Sequence, residues 1–198
     1  MNRRSKWMIL IAIGITLVGC GAARKEIAMM SQSAGTDVFT EAPAEGTVPT
    51  GFGDLIIKAS IKTPLESKEP MYGKPGYPFL LNIDGQAVLW MVEGRKHVLP
   101  KYMDGATSRD PEAGEGMMYT LEKRVRLTAG AHKVFFALPV DDYFIETDAT
   151  VKGGEQAALE FKPVYNYKTF PTRIPTFQKG IKQFEVYLNS EKIRLRSE

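Results

Sequence analysis

The sequence predicts an all-β protein, an antiparallel β-sandwich that follows a signal peptide and a flexible tether. From residue 54 onward, apolar and polar residues alternate with period two, which is typical of strands buried on one face. Short clusters of Gly, Pro, Asn and Asp separate the alternating stretches, as they do between the strands of a sandwich. No stretch in this region has the repeat of an amphipathic helix.

The first twenty residues have the layout of a secretory signal. A basic start, Met1–Lys6, precedes a short apolar run, Trp7–Val18, and small residues follow. Twelve residues would form a helix of roughly 18 Å, which is too short for a bilayer core of roughly 30 Å. The only cysteine of the chain, Cys20, stands where cleavage would occur. We therefore expect residues 1–19 to be a cleaved signal peptide.

The tetrapeptide Leu17-Val18-Gly19-Cys20 resembles the lipobox of bacterial lipoproteins. The resemblance implies that Cys20 receives two or three acyl chains, which is enough for a stable membrane anchor. A stray cysteine behind an ordinary signal and an uncleaved N-terminal helix are the alternatives. Gly21 occupies the position where Gram-negative enteric lipoproteins carry an inner-membrane retention Asp, so we expect an envelope location at the outer membrane. A Gram-positive host stays open.

Charge and length constrain the mature protein. Removing residues 1–19 from the 198-residue chain leaves 179 residues, which is enough for one domain with a core. Without Arg3, Arg4 and Lys6, the 26 basic residues become 23 and balance the 23 acidic ones. We expect no nucleic-acid partner, because such partners are held by clustered Lys and Arg.

The stretch from Gly21 to about Gly53 predicts a flexible linker, because it has few large apolar residues to bury. Thirty such residues would give an average reach of about 30 Å. A short helix around Arg24–Met30 is an alternative within it. The predicted domains are a signal peptide (1–19), a lipidated N-terminus with linker (20–52) and a β-sandwich domain (53–198).

The first strands have the clearest pattern. Asp54–Lys62 predicts a strand, and Thr63–Gly76, rich in Pro and Gly, predicts a loop. Asp84-Gly85 between two alternating stretches, Tyr77–Ile83 and Gln86–Val92, predicts a hairpin with a two-residue type I′ turn. Its register pairs Ile83 with Gln86 beside the turn. It then sets large apolar residues opposite one another on one face: Leu81 with Val88, Phe79 with Trp90 and Tyr77 with Val92.

Three further hairpins are expected. The first turns at Ala129-Gly130, and the second turns at Gly153-Gly154 through a three-residue loop with a bulge. The last turns after Asn189. Their expected pairs are Leu127 with His132, Val125 with Val134, Leu121 with Leu138, Lys152 with Gln156 and Ala149 with Leu159, and Ile193 and Leu195 close the last hairpin. Between these hairpins and the first one, Glu93–Met118 is predicted to be a long irregular excursion, with a turn at Glu93-Gly94.

The stretch Tyr119–Phe161 resembles PEGA-type surface modules. In the order of the chain, the resemblance is carried by Leu127-Thr-Ala-Gly130-Ala-His132-Lys-Val134, Tyr143, Val151-Lys-Gly-Gly-Glu155 and Leu159. It implies a small transthyretin-like sandwich with a binding role. The Pro-Glu-Gly-Ala signature is missing, and no functional residue is carried over.

Groups suited to catalysis are sparse, and we predict no catalytic site, metal or cofactor. The chain has two histidines, of which His132 falls on an apolar strand face and is expected to be structural. A zinc site needs three or four ligands, and no H-E-x-x-H, G-x-S-x-G or phosphate-binding glycine motif occurs. Asp104, Asp110, Glu112 and Glu115 share one loop without EF-hand spacing, so we expect a solvated acidic loop, with a calcium site as the alternative. A pair of glycosidase carboxylates stays open, because their separation is three-dimensional.

Two segments interrupt the strand pattern and are the expected recognition surfaces. Glu93–Met118 carries His97 and Tyr102, and Lys162–Gly180 carries Tyr165, Tyr167 and Phe170. Exposed aromatic rings could stack on sugars or seat a partner's side chain. The predicted function is a lipid-anchored envelope lipoprotein that serves as a non-catalytic binding or scaffold module for an envelope protein. A carbohydrate-binding or weakly hydrolytic envelope protein is the alternative.

Overall fold

The structure is a computed structural model that describes residues 19–43, 46–103, 105–168, 173–193 and 195. The predicted signal peptide lies outside the described residues except for Gly19, and Phe170 also lies outside them. Among the described residues, no helix is both long and apolar enough to cross a bilayer.

The described chain contains one α-helix, twelve strands and one short 3-10 turn, which confirms the all-β class. The helix α1 is Gly19–Met30, and the 3-10 turn is Phe177–Lys179. The strands are β1 Phe39–Glu41, β2 Phe52–Thr63, β3 Gly76–Ile83, β4 Gln86–Leu99, β5 Tyr102–Met103, β6 Ala106–Thr107, β7 Gly114–Thr128, β8 Gly130–Leu138, β9 Tyr143–Val151, β10 Gln156–Tyr165, β11 Ile181–Leu188 and β12 Glu191–Lys192.

Ten strands form one curled sheet, a half-barrel with the order β12-β11-β10-β2-β7-β4-β3-β8-β9. Strand β1 pairs with the end of β7, and β5 and β6 form a separate small hairpin. All neighbours are antiparallel except β2 and β10, which run parallel. The sheet is therefore mixed, so the antiparallel prediction is wrong for this pair, and two separate sandwich sheets are not confirmed.

Strand β4 joins the two halves of the curled sheet. Its first part pairs with β3, and its second part, from Gly94 to Leu99, pairs with β7. A Cβ at Gly94 would lie 2.6 Å from side-chain atoms of both Met117 and Tyr119, so the close approach needs glycine. The predicted turn at Glu93-Gly94 is wrong, because this glycine lies inside a strand. The irregular excursion predicted for Glu93–Met118 is therefore limited to the residues between the end of β4 at Leu99 and the start of β7 at Gly114.

The two halves of the curled sheet enclose one hydrophobic core. Phe136 of β8 stacks on Phe161 of β10 with ring centroids 4.0 Å apart, and it meets Phe184 of β11 edge-on. All three rings are buried. The inward faces agree with those expected from the alternation, including Leu55, Ile57, Ala59 and Ile61 of β2.

Of the four predicted hairpins, two are confirmed and two are wrong. The β3–β4 register is confirmed at all four predicted pairs, and Asp84 and Gly85 both have positive φ, as a type I′ turn requires. The last turn, at Asn189 and Ser190, is confirmed as well, with β11 paired to β12. The predicted pairings across Ala129-Gly130 and across Gly153-Gly154 are wrong. At both turns the chain crosses to the other half of the sheet, so β8 pairs with β3 and β9, and β10 pairs with β2 and β11.

The segment before β2 is not a free linker where the structure describes it. Ile27 of α1 is buried against Leu80, Phe135 and Ala137 on the outer face of the sheet. In the middle of the helix, Arg24 pairs with Asp142 through nitrogen–oxygen distances of 2.7 and 2.8 Å. Strand β1 then adds to β7. The flexible-tether prediction is wrong for residues 21–43, because one buried isoleucine and backbone pairing hold a segment that composition alone describes as polar.

Candidate binding site

The two segments expected to recognise a partner meet at one end of the half-barrel. The backbone N–H of Phe177, in the second segment, donates to the carbonyl of Pro111, in the first, over 2.9 Å. Within the second segment, the backbone N–H of Lys168 donates to the carbonyl of Ile174 over 3.1 Å. Between the segments lies a groove of about 290 Å³, here called the binding groove. Its lining residues are Lys101, Tyr102, Thr107, Ser108, Asp110, Ala113, Lys168, Ile174, Pro175, Thr176 and Gln178.

A buried lysine holds the loop on one side of the binding groove. Lys62 is only 2% exposed, and its Nζ donates to the carbonyl oxygens of Glu112 and Gly114 over 2.6 and 2.7 Å. The same nitrogen lies 4.8 Å from the ring centroid of Phe177. Burial lowers the pKa of Lys62, and the charges of Glu112 and Asp110 oppose that shift. Lys62 therefore ties the loop at residues 112–114 to the sheet and to the turn that carries Phe177.

Tyr165, one of the predicted contact residues, supports the groove from below instead of lining it. Its side chain is 2% exposed, its hydroxyl accepts from the backbone N–H of Lys62 over 2.9 Å, and it lies 3.2 Å from a carboxylate oxygen of Glu112. Burial, together with the charge of Glu112, raises the pKa of Tyr165. Tyr165 is thus a structural residue, and its assignment as a surface contact is wrong.

The remaining predicted contact residues have different positions. Tyr102 lines the binding groove and is 71% exposed. Tyr167 is 51% exposed, forms a backbone bridge with Pro175 and lies under Lys182, whose Nζ is 5.8 Å from its ring. His97 is half-buried on β4 opposite Gly116 and does not line the groove. Its Nδ1 is buried without a hydrogen-bond partner among the described residues.

A second cleft adjoins the binding groove and shares two of its residues, Ile174 and Pro175. It has a volume of about 310 Å³ and is lined by Arg109, Arg173, Ile174 and Pro175. No sequence pattern singles out these arginines or Lys101 and Lys168. The cations lie on turns between strands, where no periodic pattern marks them.

Two clusters of buried polar groups away from the binding groove are satisfied by their neighbours. Tyr72 and Tyr77 both donate hydrogen bonds to the carboxylate of Asp141, and burial raises the pKa of that carboxyl group. His132 is buried between Asp84 and the carbonyl of Thr128, at 2.7 and 2.8 Å. These contacts hold turns in place, and His132 is structural, as expected.

Within the described ranges, no group of three or more His, Cys, Asp or Glu side chains is arranged to hold a metal ion. Comparisons with known proteins add no relatives: no family model matches the chain, and no curated protein or solved structure is significantly similar to it. The candidate function must therefore come from the chain's own residues.

Proposed function

We propose that this protein is a lipid-anchored lipoprotein of the bacterial envelope that holds a partner in the binding groove without chemical conversion. One observation carries the proposal. The two segments chosen from the sequence as recognition surfaces line a single groove and are joined by the backbone hydrogen bond from Phe177 to Pro111. Segments far apart in the chain that build one concave site are typical of a binding module.

The proposed anchor is Cys20, through the lipobox resemblance of residues 17–20. Cys20 lies in α1, four residues before the Arg24–Asp142 pair. Four helical residues span about 6 Å, so an acyl chain on Cys20 would begin close to the folded domain. Because α1 packs on β3 and β8, the anchor and the binding groove involve different parts of the sheet. We place the protein at the outer membrane, with the groove accessible to an envelope partner.

A carbohydrate-binding role is the second candidate, because Tyr102 and Tyr167 present exposed aromatic rings next to or near the groove. Weak hydrolysis has less support. A glycosidase needs two carboxylates on either side of the scissile bond, and Asp110 is the one carboxylate among the described residues that line the groove.

The anchor is tested by replacing Cys20 with serine in the full-length protein. We expect the wild-type protein to incorporate an alkyne-tagged fatty acid in cells and to sediment with membranes, because acylation supplies its membrane affinity. The Cys20→Ser variant is expected to lose both properties. In a Gram-negative host, Gly21→Asp is the matched control, which should keep the label while it changes the membrane that retains the protein. An unlabelled wild-type protein would contradict the anchor.

A further inference from the structure

We propose that the binding groove and the adjoining cleft take an anionic glycan, a chain of sugar rings that carries carboxylate or phosphate groups. This inference rests on the proposed function, which requires only that the groove hold a partner. It adds the chemical class of that partner.

Charge is the first argument. Four exposed cations line the two cavities: Lys101 and Lys168 in the binding groove, and Arg109 and Arg173 in the cleft. None of them forms an ion pair with another residue in the part of the chain that the structure describes. Among the described residues that line the two cavities, Asp110 is the single carboxylate, and it accepts the backbone N–H of Glu112 over 2.8 Å. The charges of the proposed mature chain balance overall, so these four cations concentrate positive charge at one site.

Hydrogen-bonding chemistry is the second argument. The side chains of Ser108 and Thr176 accept backbone N–H groups within their own turns, which leaves their hydroxyl hydrogens available as donors. The arginines of the cleft present forked donors that match the two oxygens of a carboxylate or phosphate group. The lining is therefore rich in donors, and a ligand rich in acceptors would complement it.

The aromatic and apolar residues of the two cavities favour a ligand whose negative charges are carried on sugar rings. Ile174 and Pro175 form an apolar wall shared by the groove and the cleft. Tyr102 lines the groove, and Tyr167 bridges to Pro175. Flat aromatic rings beside polar donors suit the C–H faces and hydroxyl edges of a sugar. An acidic peptide that adds as a strand would find little edge, because β5 and β6 have two residues each.

The site is also held in shape before any ligand arrives. Lys62 fixes the loop on one side through two carbonyls, and the Phe177–Pro111 hydrogen bond joins the other side to it. A Cβ at Gly116 would lie 2.9 Å from the ring of Phe177, so the turn packs tightly on β7. A preorganised site loses less entropy on binding than a mobile one.

The test is calorimetric titration of the full-length lipoprotein in detergent micelles. The probes are a hexamer of galacturonic acid, a phosphorylated mannose oligosaccharide, a neutral maltohexaose and a hexaglutamate peptide. We expect binding of at least one of the two charged glycans and weak or no binding of maltohexaose and hexaglutamate. Affinity should fall as ionic strength rises, because the cations are exposed.

Substitutions inside and outside the two cavities test where the glycan binds. The double variant R109Q/R173Q is expected to weaken binding by about tenfold for each arginine that contacts the ligand, since charge-assisted hydrogen bonds have that magnitude. Tyr102→Ala is expected to weaken binding without a change in melting temperature. The matched control is K133Q/K152Q, which removes two exposed cations outside both cavities and should leave affinity unchanged.

Three outcomes would overturn the glycan inference: no binding of either charged glycan, equal binding of maltohexaose, or equal binding of hexaglutamate. An equal loss of affinity in both double variants would also overturn it, because the site would then lie elsewhere. If the glycans fail but the groove captures a protein in cells, the glycan inference falls and the proposed function stands. If the groove captures nothing in cells either, both fall.

Discussion

Replacing Asp54 with alanine is expected to lower the free energy of unfolding by about 3–5 kcal/mol, because it leaves two arginines without their buried partner. Asp54 lies on β2 with no exposed surface, opposite Arg126 of β7. Its carboxylate accepts from Nε of Arg124 over 2.6 Å and from Nε and Nη2 of Arg126 over 2.8 and 3.0 Å. The same arginines donate to the carbonyls of Gly46 and Thr47, so the triad also holds the segment before β2.

Urea denaturation measures this effect. The matched control is Glu122→Ala, which removes an exposed pair with Lys58 between the same two strands. We expect that control to cost no more than about 1 kcal/mol, because solvent screens exposed pairs. Equal losses for the two variants would contradict the role assigned to Asp54.

The same triad predicts an acid dependence of stability. Hydrogen bonds from Arg126, and then from Arg124, hold the pKa of Asp54 below its ordinary value of 3.8, while burial opposes the shift. Because the folded protein keeps this carboxyl ionised, its contribution is complete above pH 3.8 and is lost as the pH falls below that value. We expect Asp54→Asn to have a shallower acid loss than the wild-type protein. Parallel acid curves would contradict the assignment.

Replacing Phe136 with alanine is expected to cost about 3–5 kcal/mol as well, for a different reason. Phe136 lies on β8, and the rings that it contacts, Phe161 and Phe184, lie on β10 and β11 of the other half. The substitution would leave a cavity between the two halves of the curled sheet. The observable is a lower urea midpoint with an unchanged slope.

Two further experiments test whether the loss at Phe136 comes from a core shared by the two halves of the sheet or only from the apolar area that is removed. Phe144→Ala removes a half-buried ring that stacks on Phe135 on the outer face, and we expect a smaller effect. A double-mutant cycle between Phe136 and Phe161 should give a coupling energy of about 0.5–1.5 kcal/mol. Additive effects, or equal losses at Phe136 and Phe144, would mean that the two halves do not share one packed core.

The sequence predicted the faces of the strands better than their partners. Alternation assigns Val125, Leu127, Val134 and Leu138 to the interior, and all four are buried in one core. Alternation does not identify the neighbouring strand, because a strand buries the same side chains whichever half of the sheet it belongs to. A two-residue turn does decide the partner, and Asp84-Gly85 therefore gave the correct register. The single residue Ala129 between β7 and β8 leaves no room for a hairpin, and the chain crosses the barrel instead.

The binding groove could likewise be predicted only in part from the sequence. The sequence singled out the two segments that form the groove, because each interrupts the strand pattern. It did not predict Lys62 as the residue that holds them, since a lysine on the polar face of a strand looks exposed until a distant loop covers it. Tyr165 was wrongly assigned to the surface, because a tyrosine in a proline-rich segment is expected to be exposed, whereas its side chain is buried. Both assignments depend on contacts between residues 50 or more positions apart.

Photo-crosslinking in living cells tests the binding groove most directly. A photoreactive amino acid would replace Tyr102 in the full-length lipoprotein, and Lys152, in the exposed turn before β10, would be the matched control position. We expect one dominant envelope adduct from position 102 that is absent from position 152. The same adducts from both positions, or no adduct from position 102, would contradict the groove as the site where this protein holds its partner.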